Sequence, residues 1–125
     1  MKRDMDLVRK ILFEIEKMEY SDNRLEIYPR GGFSSEDEPL HGYQREDISY
    51  HLLLLKEASL IQADQLGAFW YPIRLTWEGH EFLDAARDDA RWEKAKVAMA
   101  NAGSFAIDVM KQLLVQYLKT ELKLS

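Results

Sequence analysis

The stretch Ser49–Ile61, SYHLLLLKEASLI, sets the tightest limit on what this chain can fold into. It reads as a helix from about Gln44 to Ala58, and four consecutive leucines cannot face one way on a helix that turns about 100° per residue. With Ile48 at the centre of the buried face, Leu52, Leu55 and Ser59 fall beside it and His51 lies at its edge. The opposite face collects Glu46, Tyr50, Leu53 and Glu57, with Arg45, Ser49 and Lys56 on one flank and Asp47 and Leu54 on the other. Helices that are apolar on more than one side are usually covered on more than one side. Leu53 and Leu54 are therefore expected to be packed inside the chain, to meet a partner, or to face DNA.

The residues after this helix fix its context. Ser59–Ala63 leads into a short strand, Asp64–Ala68 reads as a hairpin tip, and Phe69–Thr76 is the return strand. Alternation places Phe69, Tyr71, Ile73 and Leu75 on one face of that strand and Trp70, Pro72, Arg74 and Thr76 on the other. A proline inside a strand points to a sheet edge. Upstream, Leu7, Val8, Ile11, Leu12, Ile15 and Met18 form one apolar helical stripe, with Asp4 or Asp6 to start it and Ser21-Asp22-Asn23 to stop it. Between the two helices, Leu25-Glu26-Ile27-Tyr28 alternates like a strand, and residues 30–43 form an acidic, solvated loop with breakers at both ends.

Downstream, Thr76 can cap a long helix running through Trp77, Phe82, Leu83, Ala86, Trp92, Lys96 and Met99 towards Ala102, with Trp77 and Trp92 as core anchors. Gly103 marks its end, and Ser104 can cap a last helix striped by Met110, Leu113, Leu114, Tyr117, Leu118 and Leu122. Helix, hairpin, helix is the order of a winged helix-turn-helix domain. The expected fold is mainly α with a small β-hairpin: a winged-helix domain over residues 1–103, including its long fourth helix, and a C-terminal helix over 104–125 that packs on the domain or on a dimer partner.

Length and composition fit one globular domain. The chain has 125 residues, 46% hydrophobic and 31% charged. It has no cysteine, which excludes disulfides, thiolate metal sites and thiol catalysis. No apolar run reaches the roughly 20 residues of a membrane span. The start, MKRDMDLVRK, carries charge where a signal peptide needs its apolar region, so a cytoplasmic protein is expected. The net charge of −5 bears on nucleic acid, because neutralising phosphates supplies most non-specific affinity. From His41 to Gly79 the basic residues Arg45, Lys56 and Arg74 are outnumbered by Glu46, Asp47, Glu57, Asp64 and Glu78.

Catalytic and metal chemistry find little support. His41, His51 and His80 are the only histidines and lack the i, i+4 spacing of a helical zinc site. Trp77-Glu78-Gly79-His80-Glu81 lacks the second histidine of a metalloprotease motif, and Glu78 and Glu81 suit the positive end of a helix. Asp84, Asp88 and Asp89 read as a solvated face. No Ser-His-Asp signature or nucleotide-binding glycine fingerprint occurs. Neither an enzyme, a cofactor nor a metal is expected.

Two segments resemble known patterns. YHLLLLKEASLI is similar to the recognition-helix region of bacterial winged-helix repressors of the arsenic-repressor type, with Ser59 where a glycine commonly ends the helix. RLTWEGHEFL, Arg74–Leu83, resembles the "LTxxGxxxL" passage that comes after the wing in several such families. Together with MKRDMDLVRKIL, LTWEGHEFLDAARDD and Gly103–Phe105, these place the chain close to an uncharacterised bacterial and prophage family, domain of unknown function 2513. The resemblance implies a winged-helix fold and carries over no activity, cofactor or catalytic residue.

Two roles are compatible with these residues. The first expectation, resting on fold analogy, is a dimeric, prophage-type DNA-binding transcriptional regulator. It would contact DNA through Arg45, Ser49, Tyr50, Lys56 and Arg74 and be joined through Met110, Leu113, Leu114, Tyr117 and Leu118. The alternative is a winged-helix protein-interaction module that binds through Tyr50, Leu53, Leu54 and Trp70, a role the acidic balance favours.

Overall fold

The computed structural model describes residues 2–18, 25–26, 40, 42–66, 69–103 and 106–123. They form five helices and a small antiparallel sheet, the mainly α fold with a hairpin expected from the sequence. The chain divides into two compact units, Met1–Gly79 and His80–Ser125. The expected boundary after residue 103 is a turn within the second unit. Most of the loop expected over residues 30–43, the stop signal Ser21–Asn23 and the tip residues Gly67 and Ala68 lie outside the described residues.

In the first unit, α1 (Met5–Lys17) starts at Asp4, whose side chain accepts from the amides of Asp6 and Leu7. Its stripe of Leu7, Val8, Ile11, Leu12 and Ile15 is buried. The second helix, α2 (Arg45–Glu57), buries Ile48, Leu52 and Leu55 as the periodicity requires. The two helices pack together, and His51 ties them. Its Nε2 accepts from the Asp4 amide at 2.8 Å and its Nδ1 lies 2.7 Å from the Asp47 carbonyl. A backbone N–H can only donate and a carbonyl can only accept, so the ring is the neutral tautomer protonated at Nδ1.

The end of α2 is a complete Schellman turn. The Leu60 amide donates to the Leu55 carbonyl and the Ser59 amide to the Lys56 carbonyl, both at 3.0 Å. Ser59 stands at the left-handed position, with φ of 62°.

The sheet has three strands in the order β1-β3-β2: β1 (Leu25–Glu26), β2 (Ile61–Leu66) and β3 (Phe69–Leu75). The strand-like Leu25-Glu26 thus joins the hairpin, pairing with Trp70 and Phe69. β2 runs on to Leu66, so the hairpin turns later than the sequence suggests. β3 is the central strand, which corrects the edge position inferred from Pro72. The proline is accommodated by a bulge instead: Ala63 pairs with Ile73 and Gln65 with Trp70, leaving Tyr71 and Pro72 opposite Asp64 alone. The extra residue shifts the alternation. Trp70, expected beside exposed Arg74, is 3% exposed and falls in step with buried Ile73 and Leu75.

Thr76 caps the start of α3 (Trp77–Ala86), whose first three residues belong to this unit. Its hydroxyl donates to the Ser59 carbonyl at 2.6 Å and accepts from the Gly79 amide at 3.0 Å, capping the helix as expected. Its own amide donates to the Leu60 carbonyl. Gly79 approaches that same carbonyl so closely that a Cβ would lie 2.0 Å from the oxygen. The glycine of LTWEG is therefore needed for contact with the α2–β2 turn. Trp77, expected as a core anchor, is 78% exposed: it opens the first turn of α3, pointing away from the face that buries Phe82 and Leu83.

In the second unit, the single long helix expected from 77 to 102 is two. α3 ends at Ala86 and α4 runs Asp89–Ala102. Asp88, read from the sequence as part of a solvated face, is the N-cap of α4 and accepts from the Arg91 amide at 2.7 Å. α4 ends at left-handed Gly103, as expected. The N-cap of α5 (Ile107–Glu121) is Ala106, without a side-chain cap, and Ser104 lies outside the described residues.

α4 and α5 pack antiparallel: Arg91 pairs with Glu121 at 2.6 Å, and Lys94 sits 4.3 Å over the Tyr117 ring. Met110 and Leu114 are fully buried within the chain, while Leu113, Tyr117 and Leu118 are half-buried. The α5 stripe is thus used internally at two of the five positions expected to join a dimer.

Candidate functional site

The residues with functional promise lie on the first unit, where the solvent side of α2 faces the hairpin. Two shallow grooves flank the helix. The first, about 300 Å³, is lined by Arg45, Glu46, Ser49, Tyr50 and Leu53 of α2 with Gln65 of β2 and Trp70 of β3. The second, about 450 Å³, is lined by Lys56 and Ser59 at the end of α2, by Ile61, Gln62, Ala63 and Asp64 of β2, and by Arg74 and Thr76.

The residues expected to contact DNA are therefore split. Arg45, Ser49 and Tyr50 border the first groove, and Lys56 and Arg74 the second. Of those expected to contact a protein, Tyr50, Leu53 and Trp70 share the first groove, and half-buried Leu54 lines neither.

Periodicity explains the grouping on α2, since 46, 49, 50 and 53 are spaced three and four apart and share one face. That face carries Glu46, half-buried Tyr50 and Leu53, which is 43% exposed. Leu53 is not one of the core leucines, because Leu52 and Leu55 occupy that side completely.

The electrostatics are muted. Arg45 Nε lies 3.4 Å from Glu46 Oε1, and Lys56 Nζ lies 3.4 Å from Asp64 Oδ1. Such exposed pairs add little stability, but each sets a carboxylate beside the cation and weakens the field it offers a phosphate. Arg74 is exposed, with no ion pair among the described residues.

Trp70 adds a feature that sequence reasoning missed. Its Nε1–H is buried without an acceptor among the described residues. An indole N–H is donor-only, and a buried donor left unpaired costs about 1–3 kcal/mol. The strand alternation concealed it, because only the bulge turns this ring inward.

Both ring nitrogens of His51 are engaged by backbone partners. Among the described residues no group of three His, Asp or Glu side chains could hold a metal ion, and no helix is long and apolar enough to cross a membrane.

Comparison with known proteins gives a family and no biochemistry. No solved structure matches the chain. An uncharacterized protein of Haemophilus influenzae is 35% identical over 118 residues, covering 90% of this chain and 92% of the relative. Residues 2–105 match the family described as "Hypothetical protein (DUF2513)". The chain belongs to that family, as the motifs around LTWEGHEFL and SYHLLLLKEASLI suggested.

Proposed function

We propose that the first unit is a winged-helix domain used to bind a protein. The order α1, β1, α2, β2, β3, with β1 added to the hairpin beside β3, supports the winged-helix reading. In that arrangement α2 stands where a recognition helix would. One observation carries the protein-binding role: the solvent side of α2 presents an exposed leucine and a tyrosine between carboxylates, while its two cations are already paired. A DNA-reading helix needs arginine and lysine free for phosphates and guanine edges. Aromatic and apolar anchors suit a protein surface. Such a module would act in the cytoplasm.

A second reading, the dimeric DNA-binding regulator, is favoured by Arg74, which borders the second groove together with Lys56. Its dimer contact would fall to Leu113, Tyr117 and Leu118, which are only half-buried.

An electrophoretic shift with pooled random duplex at low salt separates the two. There, where counterion release is most favourable, no shift is expected. A shift that weakens steeply with salt and is lost in Arg74→Glu would overturn the protein-binding role and establish the second reading.

A further inference from the structure

We infer that the groove between α2 and Trp70 receives a linear peptide segment, which sets an uncharged apolar side chain against Leu53 and presents a main-chain carbonyl to the Trp70 indole N–H. This rests on the protein-binding role proposed above and assigns it a place and a ligand chemistry.

The lining selects the ligand. Among the described residues of the lining the charges are Arg45 and Glu46, which lie against each other at 3.4 Å. The remaining polar groups are neutral: Ser49, Tyr50, Gln65 and Trp70. A phosphate or carboxylate would find no uncompensated cation there, and burying its charge against neutral donors is costly. A peptide bond is neutral, and its carbonyl accepts without bringing charge. The apolar requirement comes from Leu53, 43% exposed in the same lining.

The donor requirement comes from Trp70. It is the one buried side-chain donor or acceptor without a partner among the described residues, and Trp70 lines this groove, so a bound carbonyl reaches the N–H as the side chains over the ring part. A groove of about 300 Å³ lies at the small end of ligand clefts, so it holds an anchor residue of a longer segment.

The test pans a displayed library of random linear peptides against the full chain, then titrates the enriched peptide, as a synthetic fragment, into 15N-labelled protein. Enriched sequences are expected to share an apolar residue without flanking acidic residues. The Trp70 indole resonance is expected to move downfield on binding, and Leu53→Lys to weaken affinity about tenfold or more. Leu53 is exposed, so that variant keeps its fold; Ser49→Arg, which fills the groove from another position, must weaken binding as well.

Enriched peptides that bind both variants normally and leave the indole unmoved would overturn the groove assignment while leaving a protein-binding role standing. Failure to enrich any peptide, with no DNA shift, would also overturn the groove assignment. Failure to enrich any peptide together with a salt-sensitive DNA shift would remove both.

Discussion

Ser59 and Gly79 meet at one point of the backbone and place opposite demands on side-chain size. Ser59 holds a left-handed conformation with φ of 62° at the end of α2, where an L-residue with a Cβ is strained by about 1–2 kcal/mol. Glycine removes that strain and loses part of the gain to its greater freedom in the unfolded chain. Ser59→Gly should therefore raise stability by about 0.5–1 kcal/mol, read as a higher denaturation midpoint at unchanged m-value. The carbonyl that accepts from Thr76 belongs to the backbone and survives the change. Gly79 has the reverse constraint, because its missing Cβ makes room for the Leu60 carbonyl. Gly79→Ala forces backbone apart on one side or the other and should cost about 1–3 kcal/mol despite alanine's better helix propensity. If alanine were tolerated there, the close approach between Gly79 and the Leu60 carbonyl would not be needed for folding.

The break between α3 and α4 depends on Arg91, which is 7% exposed. Its Nε donates to the Ala85 carbonyl at 2.6 Å and Nη2 reaches the Asp84 carbonyl at 3.4 Å, so the guanidinium satisfies carbonyls in the last turn of α3. Nη1 meanwhile holds Glu121 at 2.6 Å. Glu121 is half exposed and its share of the pair is screened by solvent. Arg91→Met should accordingly cost about 1.5–3 kcal/mol, and Glu121→Gln less than about 1 kcal/mol. Equal losses in paired denaturation curves would show that the ion pair, and not the carbonyl cap, holds the break.

Nothing in the sequence marked this arginine, since charged residues are almost never fully buried and the rule places it outside. The break itself left a trace in the aspartates at 84, 88 and 89, which read as one exposed face because the helical period was carried across them. The interior of α2 was legible throughout: Ile48, Leu52 and Leu55 lie where 3.6-residue periodicity puts them. The extent of β3 was legible, but its facing only from Ile73 onward, since two-residue alternation holds until a bulge adds a residue. The candidate site inherited both outcomes: Glu46, Tyr50 and Leu53 share one face as the period requires, Lys56 and Leu54 fall away from it, and Trp70 turns inward where alternation set it beside Arg74.

The family match and the packing of the second unit end at different points along the chain. The match stops at residue 105, just before α5 begins at Ile107. Yet α5 packs along α4, burying Met110 and Leu114 and holding Arg91 and Lys94 through Glu121 and Tyr117. Each buried apolar side chain of that size contributes about 1.5–3 kcal/mol. Against a typical total of about 5–15 kcal/mol for a domain, the two together are a large fraction. Ending the chain at residue 105 should therefore expose the α4 side that α5 covers. The expected signs are increased binding of a hydrophobic dye, concentration-dependent light scattering and loss of hydrogen-exchange protection in α4 amides. A truncated chain that stays monodisperse, with the α4 amides as protected as before, would make α5 an appendage. Its stripe of Leu113, Tyr117 and Leu118 would then be free to serve as a contact for other molecules.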